Sequence, residues 1–263
     1  MNFYNTNSFI FQSKYFKNII LAGSQARLTY INNNLLHCTN GDGFFFPTKN
    51  LTDIIKELKK INVTTCYLTL HPLFFWKDIL KKTLKTEKKI FYINLKKENN
   101  FNNYSKSLKI KIKKNIKLAL KKSTELEFIE LYKKQFFFDS NKKLNLNFKN
   151  LKIFKVENES GKSISVFGFG KNTIEYLLSC SSIAYKDLQG VLLYKIIEMF
   201  KNNYDYLNLG GGIKSNDGLE NFKSYFKSDF IKSSVLKLII DKKKYDKNVK
   251  SSKNTIFPGY LSD

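Results

Sequence analysis

The chain has 263 residues, 42% of them hydrophobic and 15% aromatic, so it can bury a core and is too apolar to be a disordered protein. The formal net charge of +24 is almost entirely lysine, because Arg27 is the only arginine. Arginine is preferred for bidentate contacts to phosphates and bases, which argues against a protein that reads nucleic-acid sequence. Two explanations of the charge stay open: compositional drift with a solvated lysine surface, and attraction for a nucleotide, tRNA or a membrane surface.

The cysteines and histidines exclude the common metal motifs. Cys38, Cys66 and Cys180 are widely spaced, no CxxC pair occurs, and His37 and His71 lie in the first third of the chain. The N-terminus lacks the basic-then-apolar pattern of a signal peptide, and no apolar run is long enough to cross a bilayer. We therefore expect no metal and a cytoplasmic protein, with peripheral contact at the inner membrane surface as an alternative.

The first 95 residues have a mixed α/β pattern. Hydrophobic periodicity predicts strands at 18–22, 28–31, 63–70 and 89–95, and helices at 52–60 and 74–84. We assign residues 1–95 to an N-terminal lobe and residues 96–263 to a second domain.

Residues 105–122 are predicted to form one amphipathic helix. Its apolar stripe consists of Leu108, Ile112, Ile116, Ala119 and Leu120, and lysines occupy most of the remaining positions. Such a helix either packs on a domain with its lysines in water or docks on RNA or anionic lipid.

The second half of the chain has a regular order of elements. Periodicity predicts a helix at 123–135, strands at 151–156, 163–169 and 173–179, a helix at 188–201, a strand at 206–209, a helix at 218–226 and a strand at 230–240. Three antiparallel strands followed by a β-α-β crossover require a mixed sheet. The predicted fold class is therefore α+β, with a mixed, mostly antiparallel sheet flanked by helices.

Two segments in this half could hold a ligand. The first is the start of the helix at 188, where Lys186, Gln189, Gly190 and Val191 combine a charge and a glycine with the unpaired N–H groups of a helix N-terminus. The second is Gly210-Gly211-Gly212, where a strand ends in glycines that permit close approach of the backbone. The first segment is equally compatible with an ordinary helix start.

Residues 90–240 resemble the FemABX-like branch of the Gcn5-related N-acetyltransferase (GNAT) superfamily. The resemblance lies in the strand Phe91–Leu95, the basic segment Lys113–Ala119, the helix start Gln189–Leu193, the glycine-ended strand Leu207–Gly212, and the Phe222-Lys223 pair that follows Asp217-Gly218. It implies a GNAT fold for the second domain and a divergent GNAT-like lobe for residues 1–95.

The resemblance also implies an activity. Family members transfer an acyl group to an amine, with acyl-CoA (such as acetyl-CoA) or aminoacyl-tRNA as the donor. The acceptor would be a small-molecule or lipid-linked amine of a cell-envelope precursor, such as an amino sugar or a peptidoglycan peptide. A tRNA-dependent aminoacyltransferase and a non-catalytic module that binds RNA or a membrane remain as alternatives.

Residue roles follow from the same resemblance. Lys223 would stabilise the oxyanion or position the donor, and Phe222 would line the acyl pocket. The residues that would hold coenzyme A are Lys186, Gln189, Gly190 and Val191, and those that would contact the acyl group or acceptor are Asn208, Gly210, Gly211, Gly212 and Asp217. Lys223 could also be a surface lysine, Phe222 a core residue and Asp217 a helix cap. Asp187, Asp217 and the substrate itself remain open as the proton acceptor.

Overall fold

The chain divides into two compact units, each with its own buried core. A computed structural model describes residues 16–21, 24–31, 35–40, 51–70, 83–97, 101–136, 148, 151–182, 187–212 and 217–249. The first unit comprises residues 4–87, 145–147 and 232–263, and the second comprises residues 1–3, 88–144 and 148–231. The lobe boundary between residues 95 and 96 stays a prediction.

The described residues form eleven strands and six α-helices. In chain order they are β1 (Phe16–Leu21), β2 (Ser24–Ile31), β3 (Leu35–Asn40), α1 (Leu51–Lys60), β4 (Thr65–Leu70), β5 (Thr83–Asn94), α2 (Lys106–Lys114), β6 (Lys121–Lys122), α3 (Glu125–Phe136), β7 (Leu151–Asn158), β8 (Gly161–Phe169), β9 (Thr173–Ser181), α4 (Leu188–Phe200), β10 (Tyr206–Gly211), α5 (Gly218–Ser224), β11 (Asp229–Ile239) and α6 (Lys242–Asn248).

The first unit is built on a mixed sheet. Strands β1, β2 and β3 pair antiparallel, β3 pairs parallel with β4, and β4 pairs antiparallel with the end of β11. Helix α1 contributes Ile54 and Leu58 to the core, where they lie with Leu68 and Leu236.

The second unit holds the predicted meander and crossover. Its strands lie in the order β5-β10-β9-β8-β7-β6. All the neighbours given for these strands pair antiparallel except β9 and β10, which are parallel because α4 carries the chain back between them. The predicted α+β class with a mixed, mostly antiparallel sheet is therefore confirmed.

The predicted helix over 105–122 is too long. Helix α2 ends at Lys114, and Lys121–Lys122 form the short strand β6 beside β7. The side-chain amide of Asn115 donates to the carbonyl of Lys111 and closes the last turn. Lysines spaced four residues apart, as at 109, 113 and 117, also repel along a helix. The predicted apolar stripe therefore breaks after Ile112, and Ile116 lies half-exposed outside the helix.

Some elements of the first unit were missed or misassigned. Strand β3 and helix α6 were not predicted, because short elements give weak periodicity. The predicted helix at 74–84 overlaps the start of β5 at Thr83, and its residues 74–82 lie outside the described residues.

A charged cluster joins α3 to the sheet of the second unit. Glu127 Oε1 accepts hydrogen bonds from Lys155 Nζ at 3.0 Å and from Lys162 Nζ at 2.8 Å, and Oε2 accepts one from Ser123 Oγ at 2.7 Å. Burial alone would raise the pKa of Glu127, but the hydrogen bonds from Lys162, Ser123 and Lys155 outweigh it and lower the pKa to about 2.

The lowered pKa of Glu127 predicts a loss of stability in acid. Its contribution is complete above the ordinary pKa of 4.5 and is lost as the pH falls through the folded-state value of about 2. We expect Glu127→Gln to lower the free energy of unfolding at pH 7 by about 1–2 kcal/mol, after allowance for solvent screening, and by less at pH 3.

Urea denaturation at both pH values measures this difference. Glu130→Gln is the matched control, since Glu130 is exposed on the same helix. An equal loss in the two variants at pH 7 would contradict the assignment.

Candidate functional site

The parallel strands β9 and β10 separate part-way along their length. They pair only through Tyr206↔Thr173, Leu207↔Ile174 and Asn208↔Glu175, although β9 continues to Ser181 and β10 to Gly211. Exposure changes at the same point: residues 173–175 are buried, whereas residues 176–179 are half-buried. Beyond Glu175 and Asn208, the backbone N–H and C=O groups on the facing edges of β9 and β10 are no longer paired with each other. We call this opening the β9/β10 split.

An irregularity lies at the split in each strand. The register of β10 against β5 shifts between Asn208 and Gly210, which leaves Leu209 as the extra residue. The register of β9 against β8 shifts at Val166/Phe167, which leaves Leu177 as the extra residue. A bulge bends its strand and increases the local twist, so the two bulges account for the divergence.

Asn208 closes the base of the split. It is 1% exposed, and its side-chain Nδ2 donates to Glu175 Oε2 at 2.7 Å across the last paired residues. Its Oδ1 accepts from the backbone N–H of Gly210 at 2.9 Å, which fixes the turn of the bulge. Gly210 has a φ of +70°, a conformation that glycine adopts without steric cost.

Helix α5 brings Lys223 to the glycine end of β10. The lysine is only 5% exposed, and its Nζ donates to the carbonyl of Gly211 at 2.6 Å. A Cβ at Gly210 would lie 3.8 Å from the same Nζ, and Gly212 is buried beside them. The structure therefore brings an ammonium group against the glycine backbone at the end of β10.

Helix α5 lies beside both glycine segments that were singled out from the sequence. A Cβ at Gly190 would lie 4.0 Å from the ring of Phe222, so the first turn of α4 adjoins the helix that carries Lys223. Phe222 is half-buried and packs edge-on against Phe226, with ring centroids 5.8 Å apart. These contacts place the start of α4 and the glycine end of β10 around one region of the second unit.

Asp187 precedes the first turn of α4 without capping it. The carboxylate of Asp187 makes no capping bond and instead forms an ion pair with Lys111, with Oδ1 2.7 Å from Nζ. By contrast, Ser105, Asp217 and Asp241 cap α2, α5 and α6. Unpaired N–H groups at a helix start attract an anion.

Solved structures with this architecture exist despite very low sequence identity. FemX matches with a TM-score of 0.59 at 10% identity and covers 85% of this chain and 88% of its own. L-PGS from Bacillus licheniformis matches with a TM-score of 0.56 at 11% identity, covering 86% and 85%. The C-terminal domain, DUF2156, of a protein assigned as a lysylphosphatidylglycerol synthetase from Agrobacterium fabrum matches with a TM-score of 0.55 at 10% identity, covering 84% and 83%. No family model and no curated relative matches the sequence.

The fold is FemABX/GNAT-like. The neighbours span both units of this chain, because each match covers more than four fifths of it. This agrees with the resemblance drawn from the sequence motifs.

Within this FemABX/GNAT-like fold, Gln189 points into the protein. Its Oε1 accepts from Ser163 Oγ at 2.5 Å and from Ser181 Oγ at 3.5 Å, and its Nε2 donates to Ser165 Oγ at 2.8 Å. This buried network ties α4 to β8 and β9. Only the backbone of Gln189 is thus left for a cofactor, and its predicted role in holding coenzyme A stays a prediction.

Gly190 and Val191, also predicted as cofactor-binding, have packing roles at the start of α4. A Cβ at Gly190 would lie 2.6 Å from Leu108 Cδ1, so this glycine lets α2 and α4 approach closely. Val191 is fully buried in the core cluster. Lys186 lies outside the described residues.

Glu175 was missed by the sequence reasoning. It is 5% exposed and accepts the hydrogen bond from Asn208 at the base of the split. The available signal was an acidic residue inside the apolar strand Thr173–Ser181, because a carboxylate is buried only with partners.

Two kinds of feature are absent from the residues that the structure describes. None of the helices among them is long and apolar enough to cross a membrane. The same part of the chain contains no group of three or more His, Cys, Asp or Glu side chains that could hold a metal ion.

Asp217 is the N-cap of α5. Its Oδ1 accepts from the backbone N–H of Leu219 at 3.0 Å and of Glu220 at 2.9 Å. We expect Asp217→Ala to lower the free energy of unfolding by about 1 kcal/mol, because it removes both bonds, and Asp217→Asn to retain most of the stability. Chemical denaturation measures both changes. If the Asp217→Ala and Asp217→Asn variants were equally stable, the capping role would be wrong.

Proposed function

We propose that this protein is an N-acyltransferase that moves an acyl group from acyl-CoA to an amine of a cell-envelope precursor, such as an amino sugar or a peptidoglycan peptide. The observation that carries the proposal is the β9/β10 split, with Asn208 and Glu175 at its base and Lys223 at the glycine end of β10. The FemABX/GNAT-like fold supports acyl or aminoacyl transfer as the class of reaction.

The split offers a place for the acyl carbonyl. Strand backbone that has left its ladder can hydrogen-bond an extended ligand inserted between the strands. The start of α4, which Asp187 does not cap, adjoins this region through Gly190 and Phe222 and suits the pyrophosphate of coenzyme A. Backbone N–H groups would hold the phosphates, since the Gln189 side chain is engaged elsewhere.

The reaction needs a nucleophile, a charge stabiliser and a proton acceptor. The acceptor amine attacks the thioester carbonyl and forms the C–N bond, negative charge develops on the carbonyl oxygen, and the C–S bond breaks to release the coenzyme A thiolate. Lys223 is the candidate for stabilising the oxyanion or orienting the donor, because its buried ammonium already lies at the Gly211 backbone. Phe222 would contact the acyl group.

The proton lost by the amine needs an acceptor. The carboxylate of Asp217 caps α5 and that of Asp187 is paired with Lys111, so both are engaged outside the split. Glu175 is the carboxylate that adjoins the split, and we assign it as the candidate proton acceptor. Glu175 would then pass this proton to the leaving thiolate, which gives free coenzyme A.

Lys223→Met tests the proposed role of the lysine. We choose methionine because its unbranched side chain fills the space that alanine would leave at this buried position, while it removes the donor to the Gly211 carbonyl. We expect kcat/KM for acyl transfer to fall about 100- to 1000-fold, since one charged donor to the developing oxyanion is lost. Lys113→Met, at an exposed position of α2, is the matched control. A Lys223→Met enzyme with unchanged kcat/KM would overturn the assignment.

A second candidate is an aminoacyltransferase that uses aminoacyl-tRNA. The observation that favours it is the naming of one structural neighbour as a lysylphosphatidylglycerol synthetase, which denotes a lysyl group on a lipid. A lipid-linked acceptor is compatible with either donor.

A thermal-shift panel separates the two donors. Acetyl-CoA, a longer acyl-CoA and aminoacyl-tRNA are compared at equal multiples of the protein concentration, and a true donor raises the Tm by mass action. Stabilisation by acyl-CoA alone supports the first function. Stabilisation by tRNA alone, weakening steeply with salt, supports the second. No response to any donor would contradict both.

A further inference from the structure

A cavity of about 660 Å³ lies in the second unit, away from the β9/β10 split. It opens beside β7, where the two-residue strand β6 stops, and it reaches Met199 and Phe200 at the far end of α4. With a rise of 1.5 Å per residue, Phe200 is about 15 Å along the helix axis from Gly190. This volume is within the usual range of small-molecule sites, and the proposed transfer reaction does not use it.

The walls of the cavity are mainly apolar. The apolar lining residues include Leu120, Phe148, Ile153, Phe154, Met199 and Phe200. The ring of Phe200 packs against that of Phe154, with centroids 6.0 Å apart, so one wall is a fixed aromatic surface. Met199 is 51% exposed, so this part of the wall is accessible from outside the protein.

The rim of the cavity carries cations. Lys122 is exposed and forms no ion pair with a described carboxylate, whereas its neighbour Lys121 is bound to Glu157 at 3.1 Å. Lys152 lies with its Nζ 4.3 Å above the ring of Phe169. Glu125 is the one acidic side chain among the described lining residues, so the rim has an excess of positive charge.

The other polar side chains at the rim include two hydroxyl groups. Ser123 Oγ donates to Glu127, and Thr124 Oγ1 accepts from the backbone N–H of Glu127. The lysines are the cationic groups among the described lining residues, so they would meet an anionic group of a ligand. An apolar wall with a cationic rim matches a molecule that has a hydrocarbon chain and one anionic head.

We propose that this cavity binds an anionic amphiphile, a medium- or long-chain acyl carboxylate, with its chain against Phe154 and Phe200 and its carboxylate at Lys122. The site is separate from the transfer site, and it does not depend on the identity of the donor.

Isothermal titration calorimetry at pH 7.5 tests the proposal with the whole chain. Decanoate is titrated beside 1-decanol and decyltrimethylammonium, which have the same chain length but an uncharged or cationic head. We expect saturable binding of decanoate at a stoichiometry of one, with the two analogues at least about tenfold weaker because they lose or reverse the contact with lysine. Equal binding of all three amphiphiles would overturn the anionic specificity, and no binding of decanoate would overturn the site.

Two variants locate the binding. Lys122→Gln is expected to weaken decanoate about fivefold, whereas the matched variant Lys121→Gln leaves the affinity unchanged. Met199→Trp fills the mouth of the cavity from an exposed position and is expected to abolish binding while the variant remains folded by circular dichroism. Decanoate affinity that is unchanged by Met199→Trp would show that the ligand binds elsewhere and would overturn the proposal.

Discussion

The candidate transfer site depends on one buried side chain, Asn208. Its two hydrogen bonds tie the last paired residues of β9 and β10 together and hold the first residue of the glycine turn. Without them the buried carboxylate of Glu175 would lose a partner, which is costly. Asn208 thus sets where pairing ends, and the position of that end fixes where Lys223 meets the glycine backbone.

Several lysines among the described residues serve the fold. Lys155 and Lys162 hold Glu127, Lys195 donates to the Ile116 carbonyl just beyond the end of α2, and Lys223 is buried against Gly211. Lysine tolerates these different roles because its flexible stem can reach a partner from the surface or lie along apolar neighbours. The high net charge of the chain therefore contains a small set of structural cations within a largely solvated surface.

The sequence was sufficient for the order of the elements in the second unit apart from β6, because periodicity is a local signal. It predicted the meander, α4, β10 and α5. The predicted helix at α2 extended past Asn115, because the hydrogen bond by which Asn115 closes the last turn forms only in the folded chain. The β9/β10 split was not predictable from local patterns, since both bulges are defined by partners distant in sequence. Gln189 illustrates the same limit: its type suggested a ligand contact, and only the positions of three serines show that it faces inward.

Gly190 has a consequence for how related chains should be sought. Its missing side chain leaves room for Leu108, so the sizes of these two residues are linked across the contact between α2 and α4. A chain that replaces this glycine by alanine or serine can keep the same helix contact if position 108 becomes smaller. A conserved sum of the side-chain volumes at positions 108 and 190 would then be a better signature of this architecture than a conserved glycine. It would also distinguish a glycine required for helix packing from a glycine required for phosphate binding.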